Sequence, residues 1–249
     1  MSNSNHFANL TYQDFRELAN KPGLSKYERI GFPDSYRENA EEKIFNDIKI
    51  KLTNLEHLNS RVLDIGPGCS DLPCMLIELS RMKGHRLTLL DSKEMLDLLP
   101  SGSFIEKKDA FFPNCTEWIK DNAGKFDVIL CYSVLHYVLV DASIFRFFDA
   151  ALSLLSPSGQ LLIGDIPNIS RRKRFFSSDA GIRYHKAFMK TNLPPVVQFN
   201  QIEWDQIDDA ILFGLVQRAR VQGFDAYVLP QDPKLPMANR REDLFICRP

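Results

Sequence analysis

The stretch Leu63–Pro73, LDIGPGCSDLP, decides how this chain folds. An apolar run, RVLDI, leads into it, and a helical stretch at 71–82 follows. Strand, glycine turn and helix in that order place backbone N–H groups at a helix N-terminus, outside the carboxyl end of a strand, where ligands of open α/β sheets bind. Gly66 and Gly68 let the backbone approach a ligand with no Cβ in the way. Pro67 fixes one φ and stiffens the turn. Two glycine fingerprints for nucleotide turns fit here, and each is one glycine short: Asp71 holds the last position of the GxGxxG form, and Ser70 that of the DxGxGxG form.

Outward from the turn, short apolar runs alternate with amphipathic stretches. HRLTLLD precedes a helix at 93–99, SFIEKKD one at 113–122, and FDVILCYS one at 141–155. GQLLIGDI leads into an insertion at 167–205. Near-continuous apolar strands separated by helices predict a doubly wound α/β fold, a mostly parallel sheet with helices on both faces. A helix near 205–222 then leads to GFDAYVL, a proline-rich loop and EDLFICR. No helix fits between these last two strands, so they should pair antiparallel. Upstream, TYQDFRELAN reads as a helix stopped by Lys21-Pro22-Gly23. Asp34 or Ser35 caps a longer helix running to about Leu55, with Ala40, Ile44, Phe45 and Ile48 as its buried stripe. The chain thus divides into a helical cap, 1–58, and a ligand-binding domain, 59–249.

Composition excludes several classes. The formal net charge of -1 provides no global field for nucleic acid or an anionic membrane. No apolar run reaches the roughly 18 residues of a membrane helix, and MSNSNHFANL lacks the basic and apolar regions of a signal peptide. The five cysteines, 69, 74, 115, 131 and 247, are odd in number and never spaced CxxC. That argues against a disulfide framework or a metal site and for a reducing, cytoplasmic setting.

Two acids identify the ligand. Asp91 ends the second strand, 25 residues after Gly66, where a carboxylate accepts from both ribose hydroxyls; the competing reading is a cap for the helix at Ser92. Asp64 stands two residues before the first glycine. It would repel a dinucleotide pyrophosphate and welcome the ammonium and sulfonium of S-adenosylmethionine. At this point VLDIGPGCSD, LTLLDS, IEKKDAFF, FDVILCYSVLHYV and LSPSGQLLIGDI resemble, in order and spacing, the motifs of class I S-adenosylmethionine-dependent methyltransferases of the small-molecule type. The resemblance implies a seven-stranded sheet in the order 3-2-1-4-5-7-6 with strand 7 antiparallel. It implies that Asp64, Gly66, Pro67 and Gly68 hold the methionine part, Asp91 with Ser92 the ribose, and Asp109 with Ala110 or Phe111 the adenine. Cys131, Tyr132 and Ser133 would line the site, and Tyr27 and Arg29 of the cap would reach the cofactor carboxylate or the acceptor. The product would be S-adenosylhomocysteine. Ser70 departs from the usual third glycine, at a position that tolerates small residues.

An oxygen acceptor must lose a proton, so a base near neutral pKa is useful. His136, in YSVLHYV, and His185, in GIRYHKAF beside Tyr184, are the candidate bases and acceptor contacts; a helix-start histidine and an exposed helix histidine are the competing readings. Arg171 to Arg174, next to Phe175 and Phe176, read as an anion clamp led by Arg171 and Arg174, as a face for single-stranded nucleic acid, or as a solvated surface. Cys-Tyr-Ser-Val replaces the [DNS]PP[YF] motif of amide and exocyclic-amine methylation, and Asp165 reads as a strand-end residue and not part of a magnesium site. The sequence therefore points to O-methylation of a polar or anionic small molecule, such as a sugar derivative. An RNA or protein methyltransferase using the basic face, and a non-catalytic cofactor-binding partner protein, are the alternatives, with an NAD oxidoreductase further off. The oligomeric state is not readable.

Overall fold

In a computed structural model, the structure describes residues 10–201 and 203–249; the opening polar residues 1–9 lie outside it. Seven strands, β1 (Arg61–Ile65), β2 (Arg86–Asp91), β3 (Ile105–Asp109), β4 (Phe126–Tyr132), β5 (Leu155–Pro167), β6 (Asp225–Pro230) and β7 (Arg241–Cys247), form one sheet in the order β3-β2-β1-β4-β5-β7-β6. All neighbours are parallel except β7, which runs antiparallel to both β5 and β6. This is the predicted topology. Between β6 and β7 lies only a short turn with one 3-10 element, Ala238–Arg240, too little chain for a parallel crossover.

Alternation along β1 sends Leu63 and Ile65 to one face and Val62 and Asp64 to the other. Leu63 and Ile65 pack with Phe147, Phe148, Leu212 and Leu215, from α9 (Ile144–Leu154) and α12 (Asp209–Val221). Val62 packs with Leu76 of α5 (Asp71–Lys83) and Ile48 of α4 (Glu41–Lys51). Both faces of the sheet are covered, so the central strands are apolar nearly throughout. Parallel register then brings the carboxyl ends together: Asp91 pairs with Asp109, and Ile65 with Leu90.

The cap differs from its predicted outline. One helix was expected from 34 to about 55. The chain instead forms α3 (Asp34–Arg37), breaks at Asn39, resumes as α4 and ends in a 3-10 turn, Thr53–Glu56. Asn39 has φ 62, a left-handed conformation that asparagine tolerates better than most residues. The expected stripe survives the break, with Ile44, Phe45 and Ile48 all buried. The break also turns Arg37 inward, leaving it only 4% exposed. Ahead of it lie α1 (Tyr12–Asn20), held by a Thr11–Asp14 capping box, and α2 (Lys26–Arg29). Helices elsewhere are shorter than predicted: α6 (Lys93–Leu96) and α7 (Thr116–Asp121). The expected 141–155 helix is α9, and a further helix, α8 (Leu135–Asp141), precedes it. The insertion folds as α10 (Ile169–Phe176) and α11 (Asp179–Met189), followed by an extended stretch.

Candidate active site

At the carboxyl ends of β1, β2 and β4, roofed by α1, the chain encloses a cavity that, with its mouth, amounts to about 940 Å³. The Gly66-Pro67-Gly68 turn forms its floor. Both glycines have positive φ, 72 and 65. A Cβ on Gly66 would lie 2.7 Å from Val134, and one on Gly68 2.6 Å from Ile30, so neither position admits a side chain. Ser70 has φ -81. That is ordinary extended backbone, so the missing third glycine costs nothing here.

Four carboxylates surround the turn. Asp91 lines the cavity and accepts the Gly68 N–H at 3.1 Å and the Ser92 N–H at 2.7 Å. Burial pushes its pKa up to about 6, against the pull of those two N–H groups. Asp64 is 3% exposed and lies behind the cavity wall. Burial, then the nearby charge of Asp91, raises its pKa to about 8. Glu41 reaches from α4 to accept the Leu72 N–H at 2.7 Å, so it occupies an N-terminal amide of α5 that a phosphate would otherwise use. Asp109 is exposed and accepts the Lys93 N–H at 3.1 Å. This setting suits a cation and opposes a pyrophosphate.

Of the sequence-predicted cofactor residues, Gly66, Pro67, Gly68, Asp91, Ala110, Tyr132 and Ser133 line the cavity. Asp64, Ser92, Asp109 and Cys131 stand behind or beside it. Ser92 is buried as the side-chain cap of α6, and Cys131 is buried in the sheet. Tyr27 and Arg29 are not in its lining. The Tyr27 hydroxyl donates towards Asp71 at 3.5 Å, and the Arg29 Nε is buried with no partner among the described residues.

Residues with no sequence signal complete the wall. Tyr12 and Phe15 of α1 line it, with Tyr12 beside Phe111 (ring centroids 4.7 Å) and Phe15 edge-on to Tyr137 (4.7 Å). Arg37 lines it too, and donates to Asp165 at 3.0 Å and to the Ser133 hydroxyl. Ser133 and Asp165, at the ends of β4 and β5, both have positive φ (63 and 59), strain of the kind that collects at functional sites. Asp165 also accepts from Arg241, the first residue of β7. Its carboxyl pKa stays below the usual range even though burial pushes it up, because both guanidiniums hold it ionised. One carboxylate thus anchors two arginines. Only the position of Asp165 at a strand end was legible beforehand.

Arg241 opens into a second cavity, of about 990 Å³, lined also by His136, Tyr36 and Pro167. Phe32 and Tyr137 line both cavities. Burial, reinforced by Arg241, lowers the His136 pKa to about 3. It is therefore a neutral ring near neutral pH and a weak proton acceptor, with its buried Nδ1 unpartnered among the described residues.

Of the insertion, only its end residues Pro167 and Asp205 line the second cavity; the predicted acceptor contacts Arg171, Arg174, Tyr184 and His185 reach neither. Arg171 pairs with Glu242 at 3.1 Å, Lys173 with Glu203 at 3.0 Å, and Arg174 with Asp209, while Arg172 lies over the Phe176 ring. His185 borders a separate shallow cavity with Phe176. Tyr184 is 38% exposed and stacks on Phe188 at 5.8 Å. Among the described residues, no group of three or more His, Cys, Asp or Glu side chains could hold a metal ion, and no helix is long and apolar enough to cross a membrane.

No protein-family model matches the chain, and no curated protein matches it. Solved structures do match, and they show the fold: the chain shares the fold of S-adenosylmethionine-dependent methyltransferases. One neighbour is the N-methyltransferase NodS of Bradyrhizobium japonicum in complex with S-adenosylhomocysteine (TM-score 0.55, 14% identity, 96% of this chain and 98% of that one). Another is the Burkholderia thailandensis 1,6-didemethyltoxoflavin N1-methyltransferase with that substrate and S-adenosylhomocysteine bound (0.54, 16%, 100% and 91%). A third is an S-adenosylmethionine-dependent methyltransferase of Thermotoga maritima (0.53, 15%, 96% and 100%).

Proposed function

We propose that the protein is an S-adenosylmethionine-dependent methyltransferase acting on a polar or anionic small molecule, with an oxygen atom as acceptor. The observation that carries this reading is the acid-lined, Cβ-free turn at the carboxyl edge of the sheet, with Asp91 held at its rim by the Gly68 N–H. The cofactor supplies a methyl carbon activated by a sulfonium. Asp91 is placed to accept from the ribose hydroxyls. Asp64, protonated near neutral pH in the unliganded chain, ionises to meet the cationic amino-acid end. Arg37, inside the cavity, takes the carboxylate role expected of Arg29. Ala110 and Phe111 offer an apolar seat for adenine, with the exposed carboxylate of Asp109 beside them.

The second cavity is where an acceptor meets the wall it shares with the first. The paired state of Arg171, Lys173 and Arg174 weighs against an RNA-binding face. Incubation with methyl-labelled S-adenosylmethionine and a metabolite extract tests the reading: label should move to a small product whose mass identifies it. Label recovered only in RNA or protein, or none transferred despite cofactor binding, would contradict it.

A further inference from the structure

The second cavity differs in chemistry from the first. Its walls carry the rings of Phe32, Tyr36, His136 and Tyr137, brought from the cap and from α8, with His136 and Tyr137 at a centroid distance of 4.0 Å. Flat walls of this kind seat a flat molecule, since aromatic faces in offset or edge contact gain beyond the area they bury. Tyr36 is half-buried and lines the cavity.

The buried charge beside the cavity is two guanidiniums against one carboxylate. Arg241 is 7% exposed, and its hydrogen bonds within the described chain use Nη1 alone, to the carbonyl and carboxylate of Asp165. Arg241 lines the cavity, and its Nε and Nη2 make no hydrogen bond within the described chain. Arg37 shares the same carboxylate and lies over the Phe32 ring at 4.3 Å, with Arg241 over that ring at 5.7 Å. Two guanidiniums thus face one carboxylate, and that carboxylate sits behind them. Asp205 is the one carboxylate in the lining, and it is exposed. Nothing buried in the lining opposes an anion, and a planar fork with open N–H groups is the side chain best shaped to hold one.

We propose that the acceptor is an aromatic or heteroaromatic molecule carrying an anionic group, its ring seated against Tyr36 and Tyr137 and its anion on the free edge of Arg241. This rests on the methyltransferase reading of the adjoining cavity. Arg241 is then the specificity-determining residue.

The test uses the full chain loaded with S-adenosylhomocysteine, with benzoate, benzyl alcohol and cyclohexanecarboxylate as probes in ligand-observed NMR titrations. Benzoate should bind about tenfold or more tightly than either of the others, since only it satisfies both ring and fork. Arg241→Gln should erase the advantage of benzoate over benzyl alcohol, and Tyr36→Leu its advantage over cyclohexanecarboxylate. Tyr36 makes no buried ion pair, so the second variant keeps the test open if the first fails to fold. S-adenosylhomocysteine affinity is measured in each variant and should be unchanged. Equal binding of the three probes, no binding of benzoate, or an Arg241→Gln defect confined to S-adenosylhomocysteine would overturn the proposal. Failure of the wild-type chain to bind S-adenosylhomocysteine would instead count against the cofactor reading itself.

Discussion

The turn at Gly66–Gly68 and the insertion at 167–205 are both rich in polar signal, yet the fold treats them oppositely. At the turn, carboxylates are gathered around empty space. Asp64 is buried with its pKa raised to about 8, and Asp91 with its pKa raised to about 6, and neither has a cationic partner among the causes of its shift. In the insertion, Arg171, Lys173 and Arg174 each meet an acid of their own chain. Burial without a cationic partner holds such acids towards their protonated forms, ready to ionise against a cationic ligand. Compensated surface charge is ordinary folding chemistry.

Substitutions should separate the two regions. The largest effect is expected from Asp91→Ala, which removes the ribose acceptor and frees the Gly68 N–H. S-adenosylhomocysteine affinity should fall by about a hundredfold or more, from two lost charge-assisted hydrogen bonds. Calorimetry showing less than a severalfold loss would merge the regions again. Arg37→Met should weaken the same ligand by about tenfold, one charge-assisted contact, while Arg241 still holds Asp165.

Acidity gives a third contrast. The folded pKa of Asp64, about 8, lies above its unfolded value of 3.8. The unliganded fold therefore loses stability as pH rises from about 4 through 8. Asp64→Asn removes that loss, so the unliganded variant should melt above the wild type at pH 9. A cationic ligand favours the ionised form. Its binding near pH 7 should release a proton, seen as a dependence of the calorimetric heat on buffer ionisation enthalpy, and affinity should fall as pH drops from 8 to 6. Binding that neither releases a proton nor varies with pH would remove Asp64 from the account.

His136 should leave the rate profile without an ionisation of its own between pH 5 and 9, since its pKa is held near 3. His136→Gln should therefore lower the profile without changing its shape. The smallest effect is expected at Arg174, which is half exposed and paired with Asp209. Arg174→Ala should leave cofactor affinity within about twofold and stability within about 1 kcal/mol.

The legibility of these features follows from their physics. Backbone-determined features were readable, because glycines that must lie at positive φ and acids at strand ends recur at fixed register. The mostly parallel sheet and the antiparallel last pair were readable from apolar rhythm and a connection with no helix in it, whereas the strand order came from the resemblance to the methyltransferase family. Arg37 was not, because its inward turn depends on a break at Asn39 inside what reads as one continuous amphipathic helix. Arg241 was not, because β7 meets Asp165 only once the sheet is complete. The basic run misled for a related reason. Its partners, Glu203, Asp209 and Glu242, lie 30 or more residues away in sequence, and no local pattern reports such pairing.

The central claim is that the acid-lined turn holds a cationic nucleoside and not a dinucleotide. Titration of the wild-type chain with S-adenosylmethionine, S-adenosylhomocysteine and NAD in one calorimeter tests it most directly. One site per chain for the first two and none for NAD is the expected result. NAD binding that survives Asp91→Ala, or no binding of either adenosyl compound, would contradict it.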